Sequence, residues 1–387
     1  MFAFTATPEQ VELRSAVRKF AASEVEPVAL EHDRAGTTPI ELVRKFAESG
    51  LPARWLAMDA SNGDGHGFLT EACIAAEELA YACAATASLI MLPAFFNRLV
   101  LAGLAEPARS AFRERAASEP IVTSFAATER TAGSDVLLVE TRATRVDGNY
   151  VLDGRKEYSS NVRHADYVIV VARSGGTGDR DASGLSWFLV PTDAPGVQIG
   201  ERWPTLGLRS MDLSPVELHE VRIPVENRVG DEGKGLAMMG GSLSQSRTGI
   251  AAVGVGIARR ARDEVMAFGS KRILYGEKLH KQQDYRFRIA EMEKDISAAR
   301  ALTWLAALKN DKGEDATKEA SIAKVFAGQM VMRVTESASQ MLGSVGYTGQ
   351  NIIGKLFRDA RHVAIVEGAE ATHKEIIFAT MLRRGGY

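Results

Sequence analysis

Glu367 closes an apolar run, Val363-Ala364-Ile365-Val366, and is followed by Gly368. Such neighbours suggest a partly buried carboxylate, and the glycine lets another backbone or a ligand come close. Desolvation raises a carboxyl pKa towards neutrality, as a general base requires. A helix starting just after it would act in the opposite sense, because the positive end of a helix dipole favours the charged form. Sequence leaves the two influences opposed. A second stretch with chemical potential is Thr128-Glu129-Arg130-Thr131-Ala132-Gly133-Ser134-Asp135. Its hydroxyls and small residues would let side chains and backbone N–H groups approach a phosphate or an electron-rich ring; the same composition also suits a surface turn. Gly254-Val255-Gly256 has no strand before it and lies in Ala-rich apolar sequence, so close helix packing is a better reading than a dinucleotide turn. Gly230-Asp231-Glu232-Gly233-Lys234-Gly235 has the wrong spacing for a Walker A loop and is read as a sheet-to-helix turn.

These residues need a frame. Thr7-Pro8-Glu9-Gln10 has the form of a capping box with proline at the first helical position, and Leu13, Val17 and Phe20 then recur at helical spacing. An amphipathic run covers Ile40 to Phe46 and stops near Gly50, residues 62–67 are a loop by composition, and helix resumes from Phe68 to Tyr81 with Glu77 and Glu78 in an apolar frame. From about Pro120 the period shortens. Asn149–Leu152, Tyr167–Ala172, Leu185–Val190 and Val216–Ile223 read as strands separated by Gly-, Ser- and Asp-rich turns. From Gly235 the chain reads as helix again, with long periodic segments at Glu291–Leu308 and Glu319–Leu342, the latter carrying Ile322, Val325 and Phe326 on one stripe. Strands grouped between helical blocks point to segregated α and β regions: an α+β fold, mostly α, with a helical domain over 1–118, a β domain over 119–230 and a helical bundle over 231–387.

Composition narrows the function. The 387 residues carry 47 Lys+Arg against 49 Asp+Glu, a net charge of −2 without long blocks of one sign, which argues against nucleic-acid binding or a polybasic membrane binder. Cys73 and Cys83 are too few for a disulfide framework or a cysteine zinc site, and the seven scattered histidines contain no HExxH, so no metal is expected. The uncharged stretch Tyr81–Asn97 contains Pro93 and reads as a buried helix rather than a membrane span. The start of the chain lacks the basic and apolar regions of a secretory signal, so a cytoplasmic protein is expected.

Four blocks in order resemble the acyl-CoA dehydrogenase family over nearly the whole chain. Thr128–Asp135 matches T-E-P-G-A-G-S-D, and Lys156-Glu157-Tyr158-Ser159-Ser160-Asn161 matches K-x-W-I-[ST]-N. Val221 to Gly235, with Pro224, Asn227, Gly230 and Gly233, follows V-P-x-x-N-x-x-G-x-x-G-x-G. Arg272-Ile273-Leu274-Tyr275-Gly276, Gln340-Met341-Leu342-Gly343, Arg358-Asp359-Ala360-Arg361 and Glu367-Gly368 complete the C-terminal part. The resemblance implies a helical domain, a β domain and a C-terminal four-helix bundle. It also implies a flavoenzyme that takes a proton from the carbon α to a thioester carbonyl and passes the β hydride to FAD. Glu367 matches the catalytic base, and its backbone N–H would hold the thioester oxygen. The alternative base position of some members is Ser246 here, which cannot serve as a base.

By the same resemblance FAD would be held by Phe125, Ala127, Thr128, Gly133, Ser134, Tyr158 and Ser160. Arg272, Tyr275, Gln340, Gly343 and Ser344 would reach the cofactor of a neighbouring subunit, with Gln283, Ala369 and Ala371 at further cofactor positions. Ser134, Leu243, Arg247, Val366 and Gly368 would contact the substrate. A homodimer or homotetramer is implied, with an acyl-CoA or acyl-carrier-protein thioester as substrate and an electron-transferring flavoprotein as a candidate acceptor. The departures are specific. Arg130-Thr131 replaces Pro-Gly, Tyr158 replaces Trp, Ala369 replaces Thr, Ala371 stands where Gln is frequent, and residues 60–67 only loosely match P-E-x-Y-G-G-x-G. Val366 replaces a Tyr beside the base, which should widen the acyl pocket. The reading is therefore α,β-dehydrogenation of a short or branched acyl thioester. An oxygen-using oxidase or monooxygenase on the same scaffold is the alternative enzyme, the monooxygenase disfavoured by the presence of Glu367. A non-catalytic binding protein of the same fold is the third possibility.

Overall fold

The computed structural model describes residues 6–58, 67–178, 180–349 and 351–385. The predicted loop at 62–67 lies outside the described residues apart from Gly67. Helix α1 (Pro8–Phe20) starts at the capping box read from the sequence: the Gln10 N–H donates to Thr7 Oγ1 at 3.3 Å and the Thr7 N–H to Gln10 Oε1 at 3.0 Å. It runs through a π-helical turn (Ala21–Val25) into α2 (Glu26–Ala35), and α3 (Glu41–Ala47) and α4 (Leu51–Ala57) follow. Helix α5 (Phe68–Ala82) ends where Cys83 turns extended (φ −158°, ψ 115°), so the uncharged stretch is split between α5 and α6 (Ala84–Gly103), and α7 (Ala108–Ser118) closes the block. By length and composition α6 could cross a membrane, but Ala87, Leu89 and Val100 are wholly buried against other elements, as in a core helix.

The sheet comprises β1 (Thr123–Ala126), β2 (Arg142–Val146), β3 (Asn149–Ser160), β4 (Tyr167–Arg173), β5 (Leu185–Pro191), β6 (Val197–Ile199), β7 (Leu213–Pro224) and β8 (Arg228–Val229). Its order is β6-β7-β3-β2-β4-β5-β8, with β1 parallel to β4. The sequence marks only the first residues of β3, because Gly154 and the charged Arg155-Lys156-Glu157 break its apolar pattern. Gly154 is required there: at φ +149° a Cβ would stand 2.7 Å from Thr141 Cα. Lys156 points inward and is fully buried.

The C-terminal helices are α8 (Gly235–Lys271), α9 (Gln283–Asp311), α10 (Thr317–Leu342), α11 (Ser344–Tyr347), α12 (Ile353–Ile365) and α13 (Glu370–Gly385); a hairpin, β9 (Ile273–Leu274) with β10 (Glu277–Lys278), joins α8 to α9. The stripe of Ile322, Val325 and Phe326 on α10 is not its most buried face. Ala320, Ala323, Ala327, Val331 and Val334 are buried, while Ile322, Val325 and Phe326 are half-buried. Small residues win because α10 packs closely on α8 and α12. The same closeness explains Gly254 and Gly256: a Cβ on Gly254 would stand 3.1 Å from Val363 Cγ1, and one on Gly256 would overlap the Glu77 carbonyl and lie 2.8 Å from Ala80 Cβ. Gly256→Leu should lower stability by about 1–3 kcal/mol through overpacking of α8 against α5, measured by thermal denaturation.

Two polar contacts tie the blocks together. Arg259 Nη1 donates to Glu77 Oε1 at 2.7 Å and Glu78 Oε1 at 3.0 Å, and Arg300 and Arg18 complete a network linking α1, α5, α8 and α9. Glu77 and Glu78 are buried, and such charges are tolerated only when paired. On the other side, the Leu208 N–H of the β6–β7 connection donates to Asp359 Oδ1 of α12 at 2.7 Å, and Lys355 pairs with the same buried carboxylate. A Cβ on Gly207 would stand 2.7 Å from the Asp359 amide nitrogen.

Candidate active site

A cavity of about 510 Å³ opens between the sheet, α6, α8 and the α12–α13 turn. Phe125 comes from β1, Ala127 and Thr128 follow that strand, Gly133 and Ser134 come from the next loop, and Tyr158 and Ser160 end β3. Leu243 and Arg247 face it from α8, and Val366, Glu367 and Gly368 from the turn. The fold thus collects in one cleft residues that are far apart in sequence.

The sheet side is pinned from behind. The Phe125 ring stacks on Phe96 (centroids 5.2 Å apart, planes 8°) and meets Trp187 edge-on at 5.1 Å. Ser124 Oγ donates to the Ser160 carbonyl at 2.8 Å, tying β1 to β3. Lys156 Nζ donates to Glu129 Oε1 at 2.6 Å and to the Ala127 carbonyl at 3.2 Å. Glu129 also accepts from the Glu140 and Thr141 N–H groups, at 2.6 and 3.0 Å. Burial pushes the Lys156 ammonium down to about 8 against the pull of Glu129. Burial also raises the Glu129 carboxyl, but Lys156 and the surrounding donors outweigh it and hold it below the usual carboxylate range. The loop 128–135 is therefore anchored at its second residue to the floor of the sheet.

Glu367 sits where α12 stops and before α13 begins, with its backbone in the left-handed region (φ +61°) and Gly368 at φ +112°. A non-glycine residue there stores strain and needs outside restraint. Lys324, buried on α10, donates from Nζ to the Ala364 carbonyl at 3.0 Å and the Gly368 carbonyl at 2.9 Å. Arg247 Nε donates to the Glu367 carbonyl at 3.3 Å. Ser246 Oγ donates to Glu367 Oε2 at 2.8 Å. Desolvation raises the Glu367 pKa, with the Ser246 hydroxyl, Arg247 and Lys324 pulling the other way. Burial also lowers Lys324 to about 8 and His362 and His373 to about 4, so both imidazoles are neutral near pH 7.

Not every expected residue lies in the cleft. Ala369 and Ala371 are exposed at the start of α13, beside its wall. Arg272, Tyr275 and Gln283 are exposed around the β9–β10 hairpin, and Gln340, Gly343 and Ser344 at the end of α10 and the start of α11. Gln340 and Gly343 line a separate cavity of about 570 Å³ with Arg288, Arg333 and Tyr347. Sequence reading missed Ser246 as a hydrogen-bond donor, having weighed it only as a base, and missed Lys324. A lone lysine in the small-residue segment Ala320-Ser321-Ile322-Ala323-Lys324 was the available signal. It also missed Trp203, whose ring lies 5.9 Å from Tyr158 and whose Nε1 donates to the Glu157 carbonyl at 2.8 Å.

Comparison with known proteins covers the same ground. Residues 7–115, 124–221 and 233–382 match the N-terminal, middle and C-terminal domain models of acyl-CoA dehydrogenase. The cyclohexane-1-carbonyl-CoA dehydrogenase of Geobacter metallireducens is 32% identical over 383 residues, 97% of this chain and 98% of that protein. The short-chain specific acyl-CoA dehydrogenase of Mus musculus mitochondria is 32% identical, over 96% of this chain and 89% of that protein. Among solved structures, butyryl-CoA dehydrogenase from Megasphaera elsdenii superposes with a TM-score of 0.93 at 27% identity, covering 99% of this chain and all of that one.

Proposed function

Because this chain belongs to the acyl-CoA dehydrogenase family of flavin-dependent oxidoreductases, we propose that it desaturates a short or branched acyl thioester between its α and β carbons, with Glu367 removing the α-proton. The observation that carries this is the desolvated Glu367 carboxyl in the same cleft as Phe125, Thr128 and Tyr158. The cleft suits FAD: it offers the aromatic faces of Phe125 and Tyr158 with the hydroxyls of Thr128, Ser134 and Ser160 around them, a mixture that matches a ring with polar edges. FAD, when bound, supplies the acceptor for the electron pair that leaves with the β-hydrogen.

The chain's own residues do the rest. The α C–H becomes acidic only if its carbonyl is polarised, and the backbone N–H of Glu367 is the donor proposed for that oxygen. The α-proton passes to the Glu367 carboxylate, which burial makes a stronger base than a solvated carboxylate. Arg247 and Lys324, each held to a carbonyl of the turn, fix both functional atoms of one residue at once. Gly133, Ala127, Ala369 and Ala371 are proposed to adjoin the cofactor, and Leu243, Val366 and Gly368 the acyl group. The thioester is carried by CoA or by an acyl-carrier protein, and an electron-transferring flavoprotein is the proposed acceptor. The exposed Arg272, Tyr275, Gln283, Gln340, Gly343 and Ser344 are available to the cofactor of a second subunit in a dimer or tetramer.

The test is anaerobic mixing of the flavin-loaded protein with a panel of acyl thioesters. Bleaching of the flavin absorbance with formation of the enoyl product is expected; no bleaching by any CoA or carrier-bound thioester would overturn the reading. In Ser246→Ala, losing a hydrogen bond that favours the carboxylate should raise the Glu367 pKa further. The acid limb of kcat/KM therefore moves to higher pH, as a pH–rate profile would show.

A second reading, an oxygen-using oxidase, is motivated by Tyr158, a smaller ring than the Trp of the family pattern and so a lesser shield for a flavin. Peroxide released in step with product in air would support it. Slow reoxidation of the reduced flavin in air would leave the dehydrogenase.

A further inference from the structure

We propose that Trp203 is a positioning residue for the flavin: its indole closes a bulge in β3 and backs the ring of Tyr158, the bulge residue that faces the cleft, so that this ring is held as a fixed cover on the cofactor. This rests on the reading above that FAD occupies the cleft.

The bulge follows from the register of β3 on β7. Lys156 pairs with Val216 and Ser159 with Ser214, so Glu157 and Tyr158 together stand opposite the single residue Pro215. An extra residue of this kind bends its strand and re-aims the side chains it carries, and here Tyr158 lines the cleft. It also takes Glu157 out of the ladder. Pro215 has no N–H to offer, and its carbonyl already accepts from the Gly200 N–H at 3.0 Å. The Glu157 N–H donates instead to the Thr128 carbonyl at 3.0 Å. The Glu157 carbonyl is left to a side chain, and Trp203 Nε1 donates to it at 2.8 Å.

Trp203 is set in place by its own backbone. It lies in the connection between β6 and β7, where its N–H donates to the Leu213 carbonyl at 2.8 Å. Its ring stands 5.9 Å from that of Tyr158 with the planes 46° apart, within the range in which aromatic pairs attract. Tyr158 lines the cleft and Trp203 does not, so the indole supports the phenol ring from outside. Among the described residues no other aromatic ring contacts Tyr158. One side chain therefore restrains both the backbone that carries Tyr158 and the ring itself. A phenol ring covers less of a flavin than an indole would, and a loosely held one covers less still. The contact with Trp203 offsets this by removing that freedom.

The experiment uses the FAD-loaded protein without substrate, so its outcome does not depend on desaturation. Two quantities are read: the fluorescence of the bound flavin excited in its visible band, which a ring held against it quenches, and the rate at which dithionite-reduced flavin reoxidises in air. Trp203→Phe keeps a ring behind Tyr158 but cannot donate to the Glu157 carbonyl. It should raise both quantities by about two- to tenfold, the range of one net hydrogen bond. Trp203→Ala, which removes ring and donor together, should raise them further. Trp203 is exposed, so neither change empties the core. Because Trp203 acts through Tyr158, Trp203→Phe should alter neither quantity in a Tyr158→Ala background. Wild-type values in both Trp203 variants, or the same increase with and without Tyr158, would overturn the inference and leave the dehydrogenase reading intact. Failure of the wild-type protein to take up FAD would defeat the flavin reading and this inference with it.

Discussion

Glu367→Gln is expected to lower the rate of thioester-driven flavin bleaching by about 10²- to 10⁴-fold, the range that a positioned general base supplies. The flavin content of the purified protein should stay at the wild-type level. Glutamine keeps the size of the side chain and a hydrogen-bonding partner for Ser246 Oγ, so the turn held by Lys324 and Arg247 has no reason to move. What disappears is the acceptor for the proton. Because the backbone N–H of residue 367 is retained, thioester binding should survive, and the loss should fall on the bleaching rate rather than on KM. Anaerobic stopped-flow mixing separates the two. A rate within tenfold of wild type would remove Glu367 from the role of base.

The second large effect is on stability. Lys156→Met should cost about 3–5 kcal/mol, because it strands the Glu129 carboxylate inside the protein without its cation. The Glu140 and Thr141 amides would still donate to it, but they cannot balance its charge. Since Glu129 is the second residue of the 128–135 loop, the same change should weaken flavin retention. Pairing Lys156→Met with Glu129→Gln should recover much of the loss, because no uncompensated charge remains. Thermal denaturation with flavin content measured in parallel checks both parts; equal losses in the single and double variants would show that the pair does not act as a charged unit.

Local signals were legible where the chain supplies them locally. Thr7 and Gln10 announced α1, and the β-branched runs at Tyr167 and Leu185 announced β4 and β5. The full length of β3 was hidden because Lys156 reads as surface until Glu129 is brought opposite it from 27 residues away. The bulky residues of α10 do not mark its most buried face, because close helix approach selects alanine there. The order of motifs indicated which residues belong to the cleft, and the fold brings Phe125, Thr128, Tyr158, Arg247 and Glu367 together there. No local pattern could report the left-handed backbone of Glu367 or the lysine that secures it, since both depend on α10 lying beside the α12–α13 turn.

The contact between Leu208 and Asp359 bears on how such enzymes can be recombined. Asp359 lies two helical turns before Glu367, so the connection that leaves β6 sets the height of the base relative to the strands that carry Phe125 and Tyr158. A hybrid that imports the β region of a relative but not its matching α12 surface would misalign the two halves of its reaction centre while each half folded normally. Crossover points chosen to keep residues 207–211 and 355–359 from the same parent would preserve that alignment.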